Sequence, residues 1–417
     1  MEESSQPMSR RPSILEMVRR AGAALLLALG TAGASSPPSV PPVDAPELAR
    51  LGRHGVGIHA LRLSYREPWG SHRSLRVALW YPASTKVASG PSYRRALTLE
   101  PGQAPVEAEF EALAAPGAPV ATGRFPLVIM SHGFRGWPEL MSFLAENLAS
   151  KGYVVAGIDH GDASFRDAAG FGRSFATTAA TRARDQQFAM AELARRAAGG
   201  KDALSRAIDA ERMGLVGYSM GGFGALATAG AGYDAASPVH AALPKGVLAD
   251  QTGARTADPR LKAVVAFAPW GAQPPHRAWS EATLAGLRIP LLLVAGDKDD
   301  ISGFEEGARW IFDRAKAAPR YLLVFREARH NVAGNPAPAA ARSSLKGREY
   351  FDEPVWRTDR LNAISQHFVT AFLDARLKGI ASANAYLAEP PTAGRAYKGF
   401  QPRWSLGFEV RPAEPAP

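Results

Sequence analysis

Residues 214–230 read GLVGYSMGGFGALATAG, and the role of Ser219 in this stretch decides how the chain is built. An apolar run ending at Val216 meets a cluster of small residues, with Gly217, Gly221, Gly222 and Gly224 set around one serine. The bare pattern G-x-S-x-G is weak, expected by chance in roughly one in four chains of this size and glycine content. Two readings compete. Ser219 is either an idle residue in a tight turn or a hydroxyl held out at a strand-to-helix corner. The flanking sequence separates them.

On both sides, short apolar runs alternate with helical patterns. FPLVIMS (125–131) is followed by the helical ELMSFLAENLASKG, and YVVAGID (153–159) by a long helix over 176–198. LKAVVAFAP (261–269) and IPLLLVAGD (289–297) come next, then the helical FEEGARWIFDRAKA. RYLLVFREA (320–328) reads as the last strand, and DRLNAISQHFVTAFLDARLKG as a closing amphipathic helix. Wholly apolar strands separated by helices imply a mostly parallel sheet covered on both faces. With GIHALRLSY and LRVALWYP as early strands, the expectation is a doubly wound α/β core of about eight strands over residues 56–378. A polar excursion at 83–124 is too long for a simple connection and reads as containing a short helix near 106–113. The stretch 233–260 reads equally as a partial lid or a surface loop. Residues 379–417, rich in Pro and Gly, read as a tail packed on the core or loose in solvent.

Ser219 thus falls between a buried strand and a helix rich in small residues, the setting of a nucleophile elbow. Gly217 and Gly221 suit the tight turn, while Gly222 and Gly224 let the helix sit close to the sheet. The corner aims the hydroxyl out of the carboxyl edge, where open α/β sheets bind ligands. A serine hydroxyl needs a base, and the base needs an orienting acid. On such a corner these follow in chain order, serine, acid, histidine. His330, after RYLLVFREA, is the candidate base. Asp299 is the candidate acid, with Asp297 and Asp300 as alternatives on the same turn. His367 lies within a helical pattern and reads as a packed or surface histidine. The N–H of Met220 and of Phe134, in SHGFRGW (131–137), are candidate oxyanion donors. His132 reads as a residue that orders this loop. Phe134, Trp137 and Trp270 follow strand ends on the same edge and are candidates for substrate walls. Asp159, His160 and Asp162 read as a strand-end turn rather than a metal site.

The composition narrows the class further. The 417 residues are 46% hydrophobic with a net charge of +10 and no cysteine. The basic residues are scattered, which argues against a nucleic-acid footprint, and no run of 18 apolar residues predicts a membrane span. Arg10, Arg11, Arg19 and Arg20 precede AGAALLLALG, and Ala32-Gly33-Ala34 offers a small-residue cleavage site. Residues 1–34 therefore read as a signal peptide, so the expected location is periplasmic or secreted. Their removal takes four basic and three acidic side chains and leaves about +9. Residues 35–55, SSPPSVPPVDAPELAR and its continuation, read as a flexible linker. No zinc, P-loop or dinucleotide motif is found, and no metal or organic cofactor is expected.

VIMSHGFRG, GLVGYSMGG, GDKDDI and ARHNV, in this order, resemble the α/β-hydrolase superfamily over roughly residues 56–378. Within it the chain resembles the dienelactone-hydrolase-related branch that includes the platelet-activating-factor acetylhydrolases, whose acidic-His-x-Asp-x-Ser stretch is similar to IDHGDAS (158–164). Dienelactone hydrolases carry a Cys nucleophile; Ser219 stands here, which points to ordinary esters. Ala268-Pro269-Trp270 is similar to bacterial cutinase-like polyester hydrolases, although their disulfides are missing. The resemblance implies a serine hydrolase acting on short to medium acyl esters, small-molecule or lipid-like. A lipase or phospholipase A2-like acetylhydrolase, a polyester hydrolase, an acyltransferase and a peptidase share the same parts. An inactive binding protein on this fold would be expected to lack one of the three residues.

Overall fold

The strand β6 (Phe125–Ser131), buried along its whole length, shows how the centre is built. Leu127 and Ile129 enter one hydrophobic cluster, and Val128 and Met130 enter another on the opposite side. Alternation between two apolar faces is what a strand covered by helices on both sides requires. The computed structural model describes residues 37–86, 90–100, 103–162, 168–389 and 395–415. The expected signal peptide, and Ala163 and Ser164 of the IDHGDAS stretch, lie outside the described residues.

Two long antiparallel strands, β1 (Gly55–Arg66) and β2 (His72–Ala83), open the fold. β3 (Tyr93–Leu97) and β4 (Val106–Phe110) form a separate hairpin, and β5 (Ala115–Pro116) is a short edge piece. After β6 come β7 (Val154–Asp159), β8 (Ile208–Tyr218), β9 (Leu261–Phe267), β10 (Leu291–Gly296), β11 (Arg320–Phe325) and β12 (Phe408–Ala413). The main sheet has ten strands in the order β12-β11-β10-β9-β8-β6-β7-β2-β1-β5. The six from β11 to β7 run parallel to one another. β2 and β12 are antiparallel at their two sides. Helices α1 (Ser142–Ser150) and α4 (Thr358–Leu377) pack on one face. Helices α2 (Ala168–Gly199) and α3 (Met220–Thr228) pack on the other. This is the α/β-hydrolase fold, with a mixed sheet larger than the eight strands expected.

Three segments depart from the sequence reading. The expected helix near 106–113 is strand β4, in which Ala108 and Phe110 are buried and Glu107 and Glu109 exposed. That is a period of two, which a helix cannot use. The tail supplies β12, so RYLLVFREA is not the last strand. Phe408 and Val410 of β12 are buried, while Pro412 sits where an edge strand tolerates a missing donor. From Pro37 onward the expected flexible linker is bound to α1. Ser39 donates to Glu146 at 2.6 Å, Asn147 donates to the Ala49 carbonyl at 2.7 Å, and the His54 N–H donates to the Ser150 carbonyl at 3.0 Å. The stretch 233–260 is anchored as well, with Tyr233 stacked on Phe223 at 4.6 Å and Val239 and Leu248 buried. No helix among the described residues is long and apolar enough to cross a membrane.

Candidate active site

Ser219 stands at the corner where β8 becomes α3, with φ 53° and ψ −114°. Positive φ in a non-glycine residue costs about 1–3 kcal/mol and persists only where its surroundings enforce it. The enforcement comes from backbone contacts. A Cβ on Gly217 would lie 2.3 Å from the Gly221 carbonyl oxygen, and one on Gly221 would lie 2.0 Å from that of Ser131. The Ser219 N–H donates to Phe267 at 2.9 Å, and its carbonyl accepts from Phe223 at 2.9 Å and Trp270 at 3.2 Å. The corner is therefore tied to β9 as well as to its own helix.

Two further strand ends deliver the partners. His330 Nε2 lies 3.0 Å from the Ser219 Oγ, and His330 Nδ1 lies 3.0 Å from each Asp299 oxygen. Asp299 Oδ1 also accepts the N–H of Ile301 at 2.9 Å and of Ser302 at 2.8 Å, which fixes the carboxylate. The other two aspartates point elsewhere. Asp297 accepts the Glu327 N–H at 2.6 Å, and Asp300 pairs with Arg329. An acceptor at Nδ1 selects the tautomer protonated there and leaves Nε2 free to accept the serine proton. Tyr218 packs its ring 5.3 Å from the His330 ring and donates to the His330 carbonyl at 3.2 Å. Burial and the nearby Asp299 charge push the Tyr218 hydroxyl well above the usual tyrosine range, so it stays neutral.

The loop after β6 lies directly against the serine. A Cβ on Gly133 would sit 3.2 Å from Ser219 Cβ and 3.1 Å from the Tyr218 ring. Phe134 follows it, and among the described residues neither the Phe134 nor the Met220 N–H donates to a backbone acceptor. His132, 1% exposed, hydrogen-bonds to the Gly133 carbonyl at 2.7 Å and accepts the His160 N–H at 3.2 Å. Behind it, His160 bridges Ser131 at 2.9 Å and Asp185 at 2.7 Å. This second serine–histidine–aspartate chain is sealed, with Ser131 and Asp185 fully buried. Burial holds the His160 imidazole well below its usual pKa, so it braces the loop in neutral form. Asp159 pairs with Arg76 and Arg95, and Asp162 with Thr178 and Arg182.

The two tryptophans part company. Trp270, 6% exposed, packs against Phe175 at 5.1 Å and His276 at 5.4 Å. Phe175 in turn meets Phe134 at 5.2 Å, and Phe134 meets Phe171 at 5.2 Å. An aromatic wall thus runs from the Gly133 loop to β9. Trp137 does not join it. It is 2% exposed, stacked on Phe110 at 6.3 Å inside the cluster under the β3–β4 hairpin. The hairpin covers the strand-end position that made Trp137 a wall candidate. Phe171 and Phe175 carry no signal in a helix expected over 176–198; α2 begins at Ala168 and includes both. A lone Glu353 gave no signal, yet it accepts the N–H groups of Arg329 and Asn331 beside His330. A separate cleft of about 820 Å³ lies by the β1–β2 turn, lined by Trp69, Arg173 and Val247 and by none of Ser219, Asp299 and His330.

A family model described as PET hydrolase-like matches residues 118–253, which hold β6 to α3 and therefore Phe134 and Ser219. No curated protein matches. Among solved structures, the chain is similar to a ferulic acid esterase from Streptomyces cinnamoneus. That likeness has a TM-score of 0.54 and 22% identity, over 83% of this chain and 94% of the other. At this identity the likeness speaks for the fold. Together the two matches show the α/β-hydrolase fold and a stretch, holding Phe134 and Ser219, that is similar to PET hydrolase-like proteins.

Proposed function

We propose that the chain hydrolyses carboxylic esters of short to medium acyl groups through Ser219, His330 and Asp299. One observation carries the reading: Ser219, His330 and Asp299 form a continuous hydrogen-bonded chain at the carboxyl edge of the sheet, each link at 3.0 Å. His330 takes the Ser219 proton as Oγ attacks the ester carbonyl, and Asp299 holds the tautomer and stabilises the imidazolium. The N–H groups of Phe134 and Met220 receive the oxyanion, where loss of one donor costs about 3 kcal/mol. His330 then protonates the leaving alcohol, and water releases the acid from the acyl-enzyme.

The aromatic wall favours a finer version, in which the preferred esters carry an aromatic acid. Phe134, Phe175 and Trp270 present ring faces and edges suited to another ring. The solved neighbour is named for ferulic acid, itself aromatic, and the family model for a polyester. The residue 1–34 pattern supports export, which places the substrate outside the cytoplasm. The test is kcat/KM across p-nitrophenyl esters from acetyl to palmitoyl, alongside benzoyl and feruloyl esters. A maximum at short chains or aromatic acids supports the proposal. A maximum at palmitoyl replaces it with a lipase. Transfer to added alcohols in preference to water replaces it with an acyltransferase.

A further inference from the structure

Between β11 and α4 the chain folds back so that Glu353 reaches the loop that carries His330. Its two oxygens accept the N–H of Arg329 and of Asn331, each at 2.6 Å. These are the residues on either side of His330. The same segment holds the Asn331 side chain, whose amide donates to the carbonyls of Glu349 at 2.8 Å and Asp352 at 3.1 Å. Glu353 is only 5% exposed, and a buried carboxylate is costly unless its oxygens are satisfied. A carboxylate is the side chain that offers two acceptor oxygens in a fork and no donor; glutamine would turn one of them into a donor facing an N–H.

We propose that Glu353 is a positioning residue for the reaction at Ser219: it fixes the backbone on both sides of His330 and places a second negative charge, after Asp299, near the imidazole. The inference rests on the hydrolase reading of Ser219. Among the described residues, the titratable and charged groups around His330 are Asp299 on Nδ1, Tyr218 against the ring, Asp300 paired with Arg329, and Glu353, with Tyr350 acting on Tyr218. The hydrogen bonds of Glu353 go to the backbone and not to the ring, so it leaves the tautomer to Asp299. Its charge acts when His330 becomes imidazolium, and its grip acts throughout, by keeping Nε2 in reach of Oγ.

The experiment is kcat, KM and the pH dependence of kcat/KM on p-nitrophenyl acetate for wild type, Glu353→Gln and Ser219→Ala. Glu353→Gln keeps the volume, removes the charge and spoils one of the two N–H bonds. The expected result is a kcat lower by about ten- to a hundredfold, little change in KM, and an acid limb displaced to lower pH. An unmoved acid limb in folded Glu353→Gln, whatever the rate, overturns the charge role and with it the proposal. Should the variant fold poorly, the pH dependence of fluorophosphonate labelling of its folded fraction reads the same limb with the same two outcomes. Full activity in Glu353→Gln beside an inactive Ser219→Ala overturns this inference alone. Activity of Ser219→Ala equal to wild type overturns the Ser219 reading as well.

Discussion

Asp299 shares its turn with Asp297 and Asp300, and what separates them is hydrogen bonding rather than type. Only Asp299 meets His330, while Asp297 holds the Glu327 N–H and Asp300 holds Arg329. Asp299→Asn is expected to lower kcat by about 10⁴, since it loses the charge and the tautomer control together. Asp297→Asn and Asp300→Asn are expected to stay within a few-fold, so steady-state kinetics of the three variants assigns the acid. Sequence narrowed the choice because a strand ending in G-D-K-D-D sets three carboxylates at one edge. It also marked Ser219 and His330, because each follows an apolar strand on the same side of the sheet. Glu353 was illegible for the opposite reason. Its partners are backbone N–H groups more than 20 positions away, and no side-chain pattern records such a contact.

At the scale of elements, the six parallel strands were legible because the buried stretch of each reads as a short apolar run. The edges were not. β4 and β12 bury one face only, and their alternating pattern is short, with a proline in β12. Misreading β4 also misplaced Trp137, because the hairpin it forms with β3 is what covers that ring. The two tryptophans therefore make contrasting predictions. Trp137→Ala opens a cavity in the cluster with Phe110 and Leu140 and is expected to lower stability by about 3–5 kcal/mol. The preference among acyl groups should stay as in wild type. Trp270→Ala removes part of the wall beside Ser219 and is expected to change that preference, with the larger loss on aromatic esters. Thermal unfolding and a two-substrate competition distinguish the pair.

Across the whole molecule, both terminal segments meet at one side chain of α4. His367 Nδ1 accepts the Leu48 N–H at 3.1 Å, and its ring lies 4.8 Å from Phe400 of the tail. A Pro-rich stretch gives no sign that it will be held this way, which is why residues 35–55 read as a linker. Burial, with Lys151 nearby, depresses the His367 pKa to about 3, so the folded protein keeps it neutral. The unfolded chain takes up a proton there near pH 6.5. Between pH 6.5 and about 3 the unfolded state thus binds more protons, and stability falls as pH falls, by up to about 1.4 kcal/mol per unit. His160, depressed by burial in the same direction, adds to the slope. His367→Asn, which retains an acceptor for the Leu48 N–H, is expected to unfold with a shallower acid slope, as read by denaturant titration between pH 4 and 7. A slope identical to wild type would mean that His367 is charged in the fold.

The glycine corner and three strand ends converge on one hydroxyl, that of Ser219. The most direct test of its role is labelling by a fluorophosphonate probe, with the modified peptide identified by mass spectrometry, in parallel with ester hydrolysis by wild type and Ser219→Ala. The expected result is modification at Ser219, loss of hydrolysis in step with labelling, and neither labelling nor turnover in Ser219→Ala. Hydrolysis that survives in Ser219→Ala, or a label carried on another residue, would contradict it.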